Sequence, residues 1–123
     1  MQQTARPTTP LTGPRAEKIA CDYLQRRGLT LVERNYRCRR GEIDLIMREG
    51  KTLVFIEVRY RRSDRYGSPA ESVNDAKQAR IVVTAQHYLA GLGYTPPCRF
   101  DVLALTPSNT SRPDWIRNAF GAA

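Results

Sequence analysis

Gly41-Glu42-Ile43-Asp44-Leu45-Ile46-Met47 and Thr52-Leu53-Val54-Phe55-Ile56-Glu57-Val58-Arg59-Tyr60 are two runs of strand character, with Gly50 between them. Two such runs broken by a turn-forming glycine read as a β-hairpin. Side chains alternate across a strand, so Glu42, Asp44 and Ile46 are expected on one face of the first run. By the same rule Leu53, Phe55, Glu57 and Arg59 share one face of the second. With Glu49-Gly50 as a two-residue turn, Asp44 pairs with Phe55 and lies diagonal to Glu57, about 7–8 Å away at the backbone. Carboxylates at that spacing can share one divalent cation. Val54, Ile56 and Val58 point the other way, so the second run is apolar on both faces, as an interior strand is. Acids in such a strand are expensive unless paired or metal-bound, which favours a site over a solvated face.

Outward from the hairpin, residues 1–13 are Thr-, Pro- and Gln-rich without periodicity and read as a disordered leader. A helix is expected from Pro14 to just before Gly28, with Ala16, Ile19, Ala20, Tyr23 and Leu24 on its apolar face. Leu29 to Arg37 reads as a first strand, and 61–69 as a polar loop broken at Gly67-Ser68-Pro69. Asn74 is a good N-cap for a second helix that ends near Gly91 or Gly93, with Ile81, Val82, Ala85, Tyr88 and Leu89 buried. Arg99 to Leu105 gives a last strand. The order is α-β-β-β-α-β: an α/β protein with a short mixed β-sheet flanked by helices. One domain over 14–106 is expected, with 107–123 a polar C-terminal tail in which Trp115 is a packing anchor.

The chain has 123 residues, a net charge of +8 and a pI near 9.9, and 17 of its 20 basic side chains are arginine. Arginine's planar fork suits phosphates and base edges, so this balance points to a polyanionic partner, foremost nucleic acid. No apolar run approaches the ~20 residues a membrane helix needs, which argues against a membrane partner. Cys21, Cys38 and Cys98 are odd in number and widely spaced. That argues against a disulfide framework or zinc site and for a reducing cytoplasm.

Magnesium keeps most of its waters and takes one or two carboxylates, so Asp44 and Glu57 suffice as ligands for Mg²⁺ (or Mn²⁺), with the Val58 carbonyl as an adjoining third donor. Arg59 returns to the face of Glu57 and is placed to meet a phosphate. Arg37, Arg39 and Arg40 precede the acidic pair and Arg61, Arg62 and Arg65 follow it. Tyr60 and Tyr66 are interleaved for stacking on an unpaired base. Lys77 and Arg80, early in the second helix, are further candidate phosphate contacts. His87, the single histidine, and Asp101, alternating with apolar neighbours, read as structural. No phosphate-binding glycine loop or nucleophile constellation is present.

Glu17, Asn35, Gly41-Glu42-Ile43-Asp44, Phe55-Ile56-Glu57-Val58-Arg59, Gly67-x-Pro69, Lys77 and Arg99-Phe100-Asp101-Val102 together resemble the YraN family of small bacterial proteins. The likeness runs from about residue 14 to 105. It implies a restriction-endonuclease-like fold within the PD-(D/E)XK nuclease superfamily, similar to archaeal Holliday-junction resolvases. On that pattern Asp44 is the first acid, Glu57 the second, and Glu17 an auxiliary metal-site acid from the first helix. The superfamily's final lysine is Arg59 here. Arginine stays charged and cannot act as a base, although it can stabilise a pentacovalent phosphate. Lys77 is the alternative source of an ammonium. The expectation is a Mg²⁺-dependent endonuclease for structured or branched DNA. Its competitor is a catalytically weak or inactive nucleic-acid-binding subunit in repair or recombination. Cutting both strands would favour a homodimer.

Overall fold

The computed structural model describes residues 13–61 and 73–121. The leader expected over 1–13 therefore lies outside the described residues except for Gly13, and so does the loop segment that holds Arg62, Arg65 and Tyr66.

The elements run α1 (Gly13–Arg26), β1 (Thr30–Cys38), β2 (Gly41–Glu49), β3 (Thr52–Tyr60), α2 (Asp75–Ala90), β4 (Cys98–Leu105) and β5 (Asp114–Phe120). The five strands form one mixed sheet in sequence order: β3 and β4 are parallel, and every other neighbouring pair is antiparallel. The α/β expectation holds, with one strand more than expected. Among the described residues no helix is long and apolar enough to cross a membrane.

Each helix buries one stripe on one face of the sheet. Ala16, Ala20, Tyr23 and Leu24 of α1 pack on Leu45, Met47, Val54, Ile56, Leu103 and Leu105. Ile81 and Ala85 of α2 pack on Ile43, Ile46, Leu53, Phe55, Phe100 and Val102. The central strand β3 is therefore covered on both faces, and Leu53 to Glu57 are all buried. Each fully buried aliphatic or phenyl side chain contributes about 1.5–3 kcal/mol through the hydrophobic effect. Asn74 caps α2, its side chain accepting from the Lys77 N–H at 2.9 Å.

The expected hairpin register is displaced. Glu49 pairs with Thr52, and Gly50 (φ 61°) takes the first of two loop positions, where a type II′ turn requires glycine. The turn is Gly50-Lys51 rather than Glu49-Gly50. Phe55 consequently faces Ile46, and the register carries Asp44 opposite Glu57 instead of opposite Phe55.

Residues 107–123 are not simply a polar tail. β5 pairs antiparallel with β4, and Phe120 stacks on Phe100 at 5.2 Å between ring centroids. Three residues, Arg117 to Ala119, stand opposite Asp101 alone, because Phe100 pairs with Phe120 and Val102 with Ile116. The bulge turns the Asn118 N–H (φ 53°) onto Asp101 Oδ1 at 2.9 Å, while Trp115 Nε1 donates to Oδ2 at 2.9 Å. Arg99 Nε completes the shell at 3.0 Å, so the fully buried Asp101 carboxylate is a structural hub. β5 shows only three large apolar residues and no period-2 run, which is why its strand character is hidden in the sequence.

Candidate active site

The sheet splits between β2 and β3. Their pairing runs from Glu49–Thr52 to Leu45–Ile56 and stops there. Beyond it β2 stays with β1 as far as Gly41–Cys38, and β3 stays with β4 as far as Tyr60–Leu105. Asp44 and Glu57 are the first residue on each strand past the split.

The backbone N–H of Val58, released from β2, donates to Asp44 Oδ2 at 2.8 Å. The amide of Val58 thus addresses the first acid directly. β2 also changes its pleat here. Ile43 and Ile46 both pack on the α2 side, three residues apart, while Leu45 packs on the α1 side. The pairing with β1 skips the facing step, where Asn35 is left-handed (φ 51°), a conformation asparagine tolerates. Glu42 and Ile46 therefore do not share a face as alternation implied. Glu42 is turned to Asn35, whose Nδ2 also donates to Glu17 of α1.

Glu57 is 5% exposed, on the interior strand, and carries two cations. Lys77 Nζ lies 3.0 Å from its Oε2, and Arg59 Nη1 3.7 Å from the same oxygen. The ammonium at this carboxylate thus comes from the first turn of α2. Among the described residues Asp44 has no ion-pair partner. Burial pushes its carboxyl up from 3.8 to about 8, the charge of Glu57 adds to the rise, and the Val58 N–H opposes it; Glu17 and Glu42 contribute smaller repulsions. One carboxylate is flanked by cations, while burial favours the protonated form of the other.

Glu17 stands one step outside this pair. Asn35 bridges it to Glu42 at 2.9 and 3.2 Å, and Glu42 also meets Arg37 at 3.4 Å. Among the described residues no three His, Cys, Asp or Glu side chains gather as a metal cluster. The structure brings Asp44 and Glu57 together and leaves Glu17 within electrostatic reach of Asp44, not beside it as a third ligand.

The basic candidates divide. Arg39 and Arg40 form the exposed tip of the β1–β2 hairpin, and Arg37 lies just before it. Gly41 lets this tip press on α2: a Cβ there would sit 2.9 Å from Thr84 Oγ1 and 3.7 Å from Arg80. Arg40 and Arg80 consequently line one recess of about 140 Å³ with Ala79 and Val83. Lys77 and Arg80, three residues apart, share a face of α2. Arg61 is half-buried, its N–H donating to the Leu105 carbonyl at 2.8 Å, and Arg62 lies outside the described residues. His87 meets Tyr36 through Nδ1 and takes no part in the carboxylate cluster. The residues least legible beforehand are Asn35, which the family resemblance marks without giving it a role, and Thr84, which carries no signal.

These features define a small α/β protein with an acidic pair at a sheet split and exposed arginines at a hairpin tip. The chain belongs to the family described as Uncharacterised protein family UPF0102, whose model matches residues 16–105. It is 55% identical over 108 residues to a UPF0102 protein of Nitrosomonas europaea, covering 88% of this chain and 92% of that relative. A UPF0102 protein of Methylococcus capsulatus is 54% identical over 114 residues, covering 92% and 93%. One of Nitrosococcus oceani is 53% identical over 111 residues, covering 88% and 90%.

Proposed function

We propose that this protein is a divalent-metal-dependent endonuclease for structured or branched DNA, of the PD-(D/E)XK type. The observation that carries the reading is the Asp44–Glu57 pair at the split between β2 and β3, flanked by Lys77 and Arg59. The mixed sheet with an acid on each of two adjacent strands supports the same superfamily.

The donor set fits Mg²⁺ or Mn²⁺. It offers two hard carboxylates, and burial together with the charge of Glu57 pushes that of Asp44 up to about 8, a cost that a bound cation would offset. When bound, the metal would polarise a phosphodiester and lower the pKa of a coordinated water. Asp44 and Glu57 would hold it, and the Val58 N–H fixes the aim of Asp44. Glu17, tied through Asn35, adds negative potential from the α1 side. Lys77 and Arg59 stand beside Glu57 and are the cations available to charge developing on phosphate. Arg39 and Arg40 at the hairpin tip, with Arg37 before it and Arg80 of α2, would supply sequence-independent backbone contacts.

A second reading rests on Arg59. With arginine where the superfamily pattern has lysine, a nucleic-acid-binding subunit without cleavage keeps the same surface. One experiment separates them. Mg²⁺ and Mn²⁺ are titrated calorimetrically into wild type and Asp44→Ala, and both proteins are incubated with duplex, single-stranded and branched DNA. Metal uptake and cutting that vanish together in the variant support the nuclease. DNA binding with neither leaves the binding subunit.

A further inference from the structure

At the opposite end of α2 from Lys77, the β2–β3 turn and the chain entering β4 enclose an open groove of about 410 Å³. Arg48, Lys51, Tyr94, Pro96 and Pro97 are among its walls. Its geometry is held by backbone. Gly91 caps α2, Gly93 (φ 77°) reverses the chain, and the Pro97 carbonyl accepts the Leu53 N–H of β3 at 2.9 Å. Thr95 precedes two prolines and is kept extended. This presents Tyr94 outward, 57% exposed, the one large hydrophobic side chain so exposed among the described residues.

The cations at this end are unequally engaged. Arg99 and Arg117 both bind Glu49 at 2.7 Å. Arg48 and Lys51 are exposed and form no ion pair among the described residues. An exposed aromatic ring in one groove with two such cations matches a base with its flanking phosphates. A duplex hides its base faces in the stack, and an acidic peptide supplies charge but no plane for the ring.

We propose that this groove binds an unpaired stretch of nucleic acid, with Tyr94 stacking on a base and Arg48 and Lys51 holding the adjoining phosphates. The inference rests on the nucleic-acid part of the reading above and not on cleavage. Lys77 and Ala90 are separated by about 20 Å at 1.5 Å per helical residue, so the groove cannot touch the reacting phosphate. It holds a single strand at a distance of about 20 Å along α2 from the carboxylate site.

Fluorescence anisotropy with labelled oligothymidylate and a duplex of equal length, both in EDTA, tests this. Tyr94→Ala is expected to weaken single-strand binding about five- to a hundredfold and duplex binding little. Tyr94→Phe should bind within about twofold of wild type, because the ring does the stacking. Neutralising Arg48 and Lys51 together to glutamine should reduce the slope of log affinity against log salt by about 1.4, for two single-strand phosphates. Equal single-strand affinity in Tyr94→Ala and wild type, with both melting alike, overturns the groove. Tighter binding of a poly-glutamate peptide than of oligothymidylate overturns it also. If branched DNA is still cut while Tyr94→Ala binds normally, the groove alone falls. If wild type binds no nucleic acid at all, groove and nuclease fall together.

Discussion

Asp44→Asn should make the metal-free protein more stable, and increasingly so as pH rises. In the folded chain the carboxyl keeps its proton to about pH 8, against an ordinary value of 3.8. Below pH 4 both states hold the proton and nothing is lost. Between about 4 and 8 only the unfolded chain releases it, so wild-type stability falls as pH rises; above 8 the loss is complete. At pH 7 the span is about three units of about 1.4 kcal/mol each, an upper limit near 4 kcal/mol. Relaxation at the open end of the split brings the expected gain to about 1–3 kcal/mol. Asparagine keeps an oxygen for the Val58 N–H while removing the repulsion from Glu57. Urea unfolding of both proteins in EDTA, from pH 5 to above 8, measures this: the curves should diverge with pH, wild type lower. Magnesium should then narrow the gap by stabilising wild type alone, following the ordinary ligand-linkage logarithm. A variant less stable than wild type at pH 7 would refute the reasoning, because Asp44 would then be a structural hub like Asp101.

Gly41→Ala should cost about 1–3 kcal/mol and lower the melting temperature by several degrees, because its Cβ would sit 2.9 Å from Thr84 Oγ1 beneath the helix. Asp101→Asn should cost about 3 kcal/mol and speed hydrogen exchange at the Asn118 amide, since it strips the buried charge from Arg99, Trp115 and β5. Arg99 holds the Glu49 carboxyl below its ordinary 4.5, with Arg117 assisting. That stability is present above about pH 4.5 and is lost as pH falls through the depressed value, so acid titration of Glu49→Gln should show a shallower acid limb than wild type. Lys77→Met should leave the fold intact and abolish metal-dependent cutting more completely than Arg59→Met, which nuclease assays at equal protein concentration would reveal.

The central architecture was legible because its signals are strong. Two helices carry glycine or asparagine at their ends, and β3 is apolar on both faces because it lies mid-sheet. Glu57 stood out for that reason: a carboxylate inside such a strand demands a partner. The hairpin register was not legible, since a lone glycine fits either loop position and only the type II′ geometry chooses between them. The pleat change at Asp44 was hidden too, because it depends on Asn35 in the strand opposite. β5 escaped notice because its order derives from Asp101 and Phe100, on another strand, rather than from its own pattern. Lys77 was visible only as an alternative, its link to Glu57 depending on how α2 crosses the sheet.

The hub at Asp101 makes β5 a seal on the sheet as well as a strand of it. Two of its three partner residues, Trp115 and Asn118, lie fourteen and seventeen positions downstream, so without β5 this buried carboxylate would face Arg99 alone and β4 would present an open edge. One short strand thus answers an unpaired edge and an unmatched buried charge together, which ties the fate of the sheet to a segment whose own pattern scarcely announces it.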